Sequence, residues 1–123
     1  MRRALLSAAI ALSLTGCAAL QADGTRATEG LLTAAGFEMK TADTLEKAAH
    51  LAELTQGKIV RRDQDGRASY FYADGSVCHC LYAGTHQQYQ EYRRLARQQT
   101  MADEDAIVSD EASNPTRWSI WGL

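Results

Sequence analysis

Between residues 58 and 83 the chain alternates apolar and polar side chains, and it is interrupted twice by turn pairs, Asp65-Gly66 and Asp74-Gly75. A period of two punctuated by Asp-Gly is a hairpin signature, because such turns need a left-handed backbone that few other residues tolerate. The pattern predicts strands over residues 58–62, 67–73 and 76–83, joined as a three-stranded antiparallel meander. In the second strand Ala68, Tyr70 and Tyr72 share one face and Ser69, Phe71 and Ala73 the other. In the third, Val77, His79, Leu81 and Ala83 oppose Cys78, Cys80 and Tyr82.

Such a sheet must bury its apolar side, and the flanking segments have helical spacing. Residues 28–35 read as a short helix with Thr28 as cap, Leu31, Leu32 and Ala35 as its apolar face, and Gly36 as its stop. Phe37 and Met39 alternate with charged residues and predict a short extended piece. A second helix opens on an Asp43/Glu46 capping box, carries Leu45, Ala48, Ala49, Leu51, Ala52 and Leu54, and ends by Gly57; His50 reads as a packed or surface side chain. After Gly84, expected to break the sheet, Thr85 and Gln88 form another capping box. Tyr89, Tyr92, Leu95 and Ala96 then face the sheet, with Arg93, Arg94, Arg97 and Gln98 toward water. The expected fold is α+β in two layers: two helices before the meander, one after, all on one sheet face. About 75 residues, 28–102, do the folding, close to the lower limit for one unaided core.

The N-terminus carries an address. Met1-Arg2-Arg3 is followed by an uncharged run over residues 4–14, the length of a secretory h-region and too short to span a bilayer. Leu14-Thr15-Gly16-Cys17 closes it and matches a lipobox, so the chain resembles a bacterial lipoprotein. The resemblance implies diacylglyceryl transfer to Cys17, cleavage before it and acylation of the new amine, for instance with palmitate. Several chains hold a protein to a membrane where one holds only marginally. Ala18, in place of an aspartate, implies the outer membrane with the domain facing the periplasm. The expected organisation is a signal peptide (1–16), a lipidated tether (17–27), the α+β domain (28–102), and an acidic tail ending in an aromatic cluster (103–123). Removing Arg2 and Arg3 with the signal moves the formal charge from −2 to −4, which argues against nucleic acid as a partner. In the tail, Trp118 and Trp121, with Ile120 and Leu123, are candidates for folding back, for partner contact or for the membrane interface.

Cys78-His79-Cys80 is the constellation of the mature chain with chemical potential. On a strand the two cysteines share a face, with Cβ atoms roughly 6 to 7 Å apart, which is too far for a disulfide unless the backbone bends. Four readings stay open: two packed thiols; a bridge, within the chain or between chains, in an oxidising compartment; a soft-metal site of Cys78 and Cys80 helped by His79 or His86; and thiol redox chemistry, for which no C-x-x-C at a helix N-terminus is present.

The run Tyr70-Phe71-Tyr72-Ala73-Asp74, then Cys78-His79-Cys80-Leu81-Tyr82-Ala83-Gly84, then Tyr89 and Tyr92 resembles a group of small proteobacterial lipoproteins. That implies one compact domain and no particular activity. The element order is also similar to the small lipoprotein of the outer-membrane assembly machinery, without that family's helix-opening Gly-Met signature. There is no G-x-S-x-G, H-E-x-x-H, P-loop or dinucleotide fingerprint, so neither an enzyme nor a cofactor is expected. The expectation is a binding or scaffolding module held to the envelope through Cys17, with a protein partner there. The alternative is metal handling or thiol redox at Cys78 and Cys80.

Overall fold

The structure is a computed structural model that describes residues 15–99, 107–108 and 115–123, with side-chain surroundings for 22–99 and 117–123. The residues of the signal run before Thr15, the side chain of Cys17 and the acidic residues of the tail lie outside this description. Helix α1 (Thr15–Ala34) is followed by β1 (Glu38–Thr41), α2 (Leu45–Glu53), β2 (Ile59–Gln64), β3 (Arg67–Asp74), β4 (Cys80–Thr85) and α3 (His86–Gln98). A two-residue strand β5 (Ile107–Val108), a turn of helix α4 (Pro115–Trp118) and a 3-10 turn (Ser119–Trp121) complete it. No described helix is long and apolar enough to cross a membrane.

The fold is α+β, and its centre is an antiparallel sheet in the order β1-β4-β3-β2, with β5 added in parallel beyond β2. The meander β2-β3-β4 stands as the turn chemistry requires: Asp65 and Gly66 both take positive φ, 51° and 76°, and close the first hairpin. The extended piece after Gly36 becomes β1, which pairs with β4 from Glu38↔Ala83 to Thr41↔Cys80, so the sheet has four antiparallel strands where three were expected.

Helices cover both faces of this sheet, a departure from the two-layer expectation. On one face α1 and α3 bury Leu31, Leu32, Ala35, Tyr89, Tyr92 and Ala96 against Ile59, Tyr70, Tyr72, Cys80 and Tyr82. On the other, α2 and the C-terminal turns bury Leu51, Leu54, Trp118 and Trp121 against Val60, Phe71, Ala73 and Leu81. The reason lies in β3 and β4, whose alternate positions are apolar on both sides. Tyr70 and Tyr72 point one way, Phe71 and Ala73 the other, so neither face is compatible with water.

Local details follow the sequence unevenly. The capping box of Thr85 and Gln88 forms at the head of α3. At α2 the cap is Thr44, whose side chain accepts from the Lys47 N–H at 3.1 Å, while Asp43 forms an ion pair with Lys47 at 2.9 Å. Of the apolar positions expected on α2, Leu51 and Leu54 are buried but Leu45 is 91% exposed. Helix α1 extends back to Thr15, so residues 17–27, expected as an irregular tether, continue the helix. Gly84 does not break the sheet. It lies within β4, where a Cβ would stand 2.6 Å from the ring of Phe37, so the glycine makes room for a core aromatic.

Candidate functional site

The loop between β3 and β4 is wound around one carboxylate. Asp74 Oδ1 accepts from the backbone N–H of Ser76 at 3.0 Å and of Val77 at 2.8 Å, and Oδ2 accepts from the N–H of Cys78 at 3.0 Å. Gln56 holds the same loop from behind: its Oε1 accepts from the Gly75 N–H at 2.7 Å, while its Nε2 donates to the carbonyls of Leu51 and Leu54. The Asp-Gly pair at 74–75 is therefore more than a tight turn, because the aspartate satisfies donors that a five-residue excursion would otherwise leave unpaired.

This winding brings the cysteines together. Strand β4 begins only at Cys80, and His79 before it takes a positive φ of 52°, so Cys78 is not extended and its Cα lies 5.2 Å from that of Cys80. The two form a disulfide. Uniform strand geometry was the objection to a bridge, and the bend at His79 removes it. Cys80 is 1% exposed beneath α1 and α3, whereas Cys78 is only partly covered.

Against the bridge stands a residue that the sequence reading passed over. Glu29 of α1 is 9% exposed, and one of its oxygens and the two sulfurs lie within 4.8 Å of one another. Its Oε1 is the one buried side-chain polar atom among the described residues without a hydrogen-bond partner. Burial, the hydrogen bond to Asp74 and the charge of Asp74 push the Glu29 carboxyl up to about 7. Asp74 moves the other way. Burial alone would raise it, but Glu29 and the N–H groups of Val77, Cys78 and Ser76 hold it well below the usual carboxylate range. The opposite shifts make Glu29 the carboxyl that carries a proton below about pH 7 and Asp74 the one that stays ionised. Tyr72 and Tyr82 close the surroundings; burial pushes the first phenol up to about 12 and raises the second, so both stay neutral.

The other candidates fall elsewhere. His79 is exposed on the outside of the loop, and His86 Nδ1 lies 2.9 Å from the Tyr70 hydroxyl, so neither joins the cysteines. A bridged pair presents no thiolate to a metal, and the set of Cys78 and Cys80 with His79 or His86 does not assemble.

Of the three readings of Trp118 and Trp121, the structure has the fold-back one: they are 0% and 3% exposed, within the core. Trp118 packs 4.2 Å from Phe71, 4.9 Å from His50 and under the guanidinium of Arg62, while the Trp121 Nε1–H donates to His50 Nδ1 at 2.9 Å. An ion pair between Arg117 and Glu53 fastens the same turn to α2. His50 is thereby explained as a buried acceptor for an indole.

Glu29 had little legible signal, since Thr25, Arg26 and Thr33 share its helix face and an acid there reads as solvated. That it meets a disulfide depends on α1 crossing the start of β4. Compared with known proteins, the chain matches no family model, no curated protein and no solved structure, so the site is read from its own geometry.

Proposed function

We propose that the chain is a lipid-anchored envelope protein whose small α+β domain exchanges electrons through the Cys78–Cys80 disulfide. The observation that carries the reading is the juxtaposition of a reducible bond with a buried carboxyl, one of whose oxygens has no partner. A staple has no use for such a neighbour, and this bridge is a poor staple. Closing three residues removes only about 1.5 kcal/mol of unfolded-chain entropy, half the value of a 15-residue loop. The lipobox supplies the setting, since an oxidising compartment is where such a pair would be kept bridged. The Cys17 anchor is tested by Cys17→Ser, which should accumulate as unprocessed precursor; a processed, membrane-bound product would overturn it.

The redox reading is tested by thiol trapping in intact cells with and without a membrane-permeant dithiol. Cys78 and Cys80 should pass reversibly between trapped and untrapped states while the domain stays folded. A pair that opens only on unfolding would overturn the reading.

A binding or scaffolding role is supported by a different observation, the exposure of Met39 at 53% on the edge strand β1 and of Leu45 at 91% at the head of α2. In-cell crosslinking from position 45 should then capture a recurrent envelope protein, insensitive to Cys78→Ser/Cys80→Ser. Failure to capture one would leave the redox reading alone.

A further inference from the structure

The two sulfurs are not equivalent, and neither are the two carboxyls. Cys78 is the sulfur an incoming thiol can reach, because it sits in the loop and is partly exposed, whereas Cys80 lies at 1% exposure in the core. If Cys78 is attacked, Cys80 must depart as a thiolate into an apolar pocket, where an unprotonated anion is costly. A proton source at the pocket would remove that cost. One buried group there has an oxygen without a partner, on an element that contributes nothing else to the bridge.

We infer that Glu29 is the proton donor and acceptor for the Cys80 sulfur, so that exchange runs with Cys78 as the attacked atom and Cys80 as the leaving group. The inference rests on the redox reading above and adds to it the direction of attack and the residue that moves the proton.

The step balances with a dithiol as reductant. One thiolate of the dithiol attacks Cys78 Sγ; the Cys78–Cys80 bond breaks, and the departing Cys80 thiolate takes the proton of Glu29. A mixed disulfide to Cys78 remains. The second thiolate of the reductant attacks its own bridged sulfur, and Cys78 leaves as a thiolate that water protonates. The reductant has lost two electrons and become a disulfide, Cys78 and Cys80 have gained them, and Glu29 is reprotonated from solvent. In reverse, the Glu29 carboxylate takes the proton from Cys80 and frees it to attack. Asp74 does not give up or take a proton in either direction; it is pinned by three backbone N–H groups and keeps the Glu29 carboxyl protonated.

The groups facing Glu29 are Asp74 and Tyr72 from β3, Tyr82 from β4 and Arg26 from its own helix. The two tyrosines stay neutral through the physiological range and Asp74 stays ionised, so the event expected near pH 7 belongs to Glu29.

The experiment uses the full chain in detergent with dithiothreitol as the probe, following reduction of Cys78–Cys80 by acid quench, alkylation and intact mass. Each rate is divided by the fraction of the probe present as thiolate. For the native protein the corrected rate should fall as pH rises through about 7. Glu29→Gln should be slower at pH 6 by tenfold or more and should show no such fall, as expected when a positioned proton donor is lost. Glu29→Asp should restore part of the rate and its pH dependence. A corrected rate for the native protein that is flat between pH 5.5 and 8.5 would overturn the inference without reference to any variant. So would a Glu29→Gln rate equal to the native one, and in both cases the redox reading stands if the folded disulfide is still reduced. Reduction only at the rate of global unfolding would instead overturn the redox reading itself.

Discussion

On the α2 side of the sheet the buried polar group is His50, and on the α1 and α3 side it is Glu29. Each lies on a helix and each is at most 9% exposed. They differ in what meets them. His50 accepts the indole N–H of Trp121 and packs edge-on against Trp118, so its polarity is used up in holding the C-terminal turns down. Glu29 meets a second carboxyl and a disulfide, and one of its oxygens is left without a partner. A satisfied buried polar group specifies packing; an unsatisfied one that carries a proton costs stability and retains the capacity to react.

Breaking the satisfied face should have the largest effect. Trp118→Ala empties the largest fully buried side chain among the described residues and should destabilise the domain by about 3 to 5 kcal/mol, measured by urea denaturation. A loss below about 1 kcal/mol would show that the tail does not belong to the core. His50→Leu keeps the volume but removes the acceptor of the Trp121 N–H; it should cost about 1 to 3 kcal/mol, with no dependence on the oxidation state of the cysteines.

On the other face the expected sign is reversed. A carboxyl whose value is raised from 4.5 to about 7 by folding contributes stability that is fully present below about pH 4.5 and is lost as pH rises through about 7. Asp74, held low, contributes stability above its ordinary value that is lost only as pH falls far beneath it. The native domain should therefore weaken between pH 4.5 and 7. Glu29→Gln, which keeps a donor for Asp74 without the second charge, should be flat over that window and more stable at pH 8 by about 1 to 2 kcal/mol. Equal pH dependence of the two melting curves would show that folding does not raise the Glu29 carboxyl. The smallest effect belongs to Leu45→Ser, within about 0.5 kcal/mol by the same denaturation, since that side chain is exposed.

Where the chain speaks through local rules, the sequence was a sufficient guide. The first hairpin followed from alternation and Asp65-Gly66, α3 from its capping box, and the tyrosine stripe from helical spacing, because each depends on residues within about five positions of one another, whereas the third strand, expected from residue 76, begins only at Cys80 after a five-residue loop. The second helical layer was not legible in that way, since Phe71, Ala73 and Leu81 fit a water-facing strand poorly but do not say what covers them.

The candidate site divides along the same line. Its reactive atoms, Cys78 and Cys80, are plain in the sequence, as is Asp74. Their bridging needed the bend at His79, which depends on three N–H groups converging on Asp74. Glu29, some fifty residues away, acquires its raised acidity range only when α1 lies across the head of β4 and water is excluded. Alternation, capping and turn chemistry are short-range and so are written in the chain. Desolvation and the meeting of two carboxyls with a disulfide are long-range, and tertiary packing alone decided them.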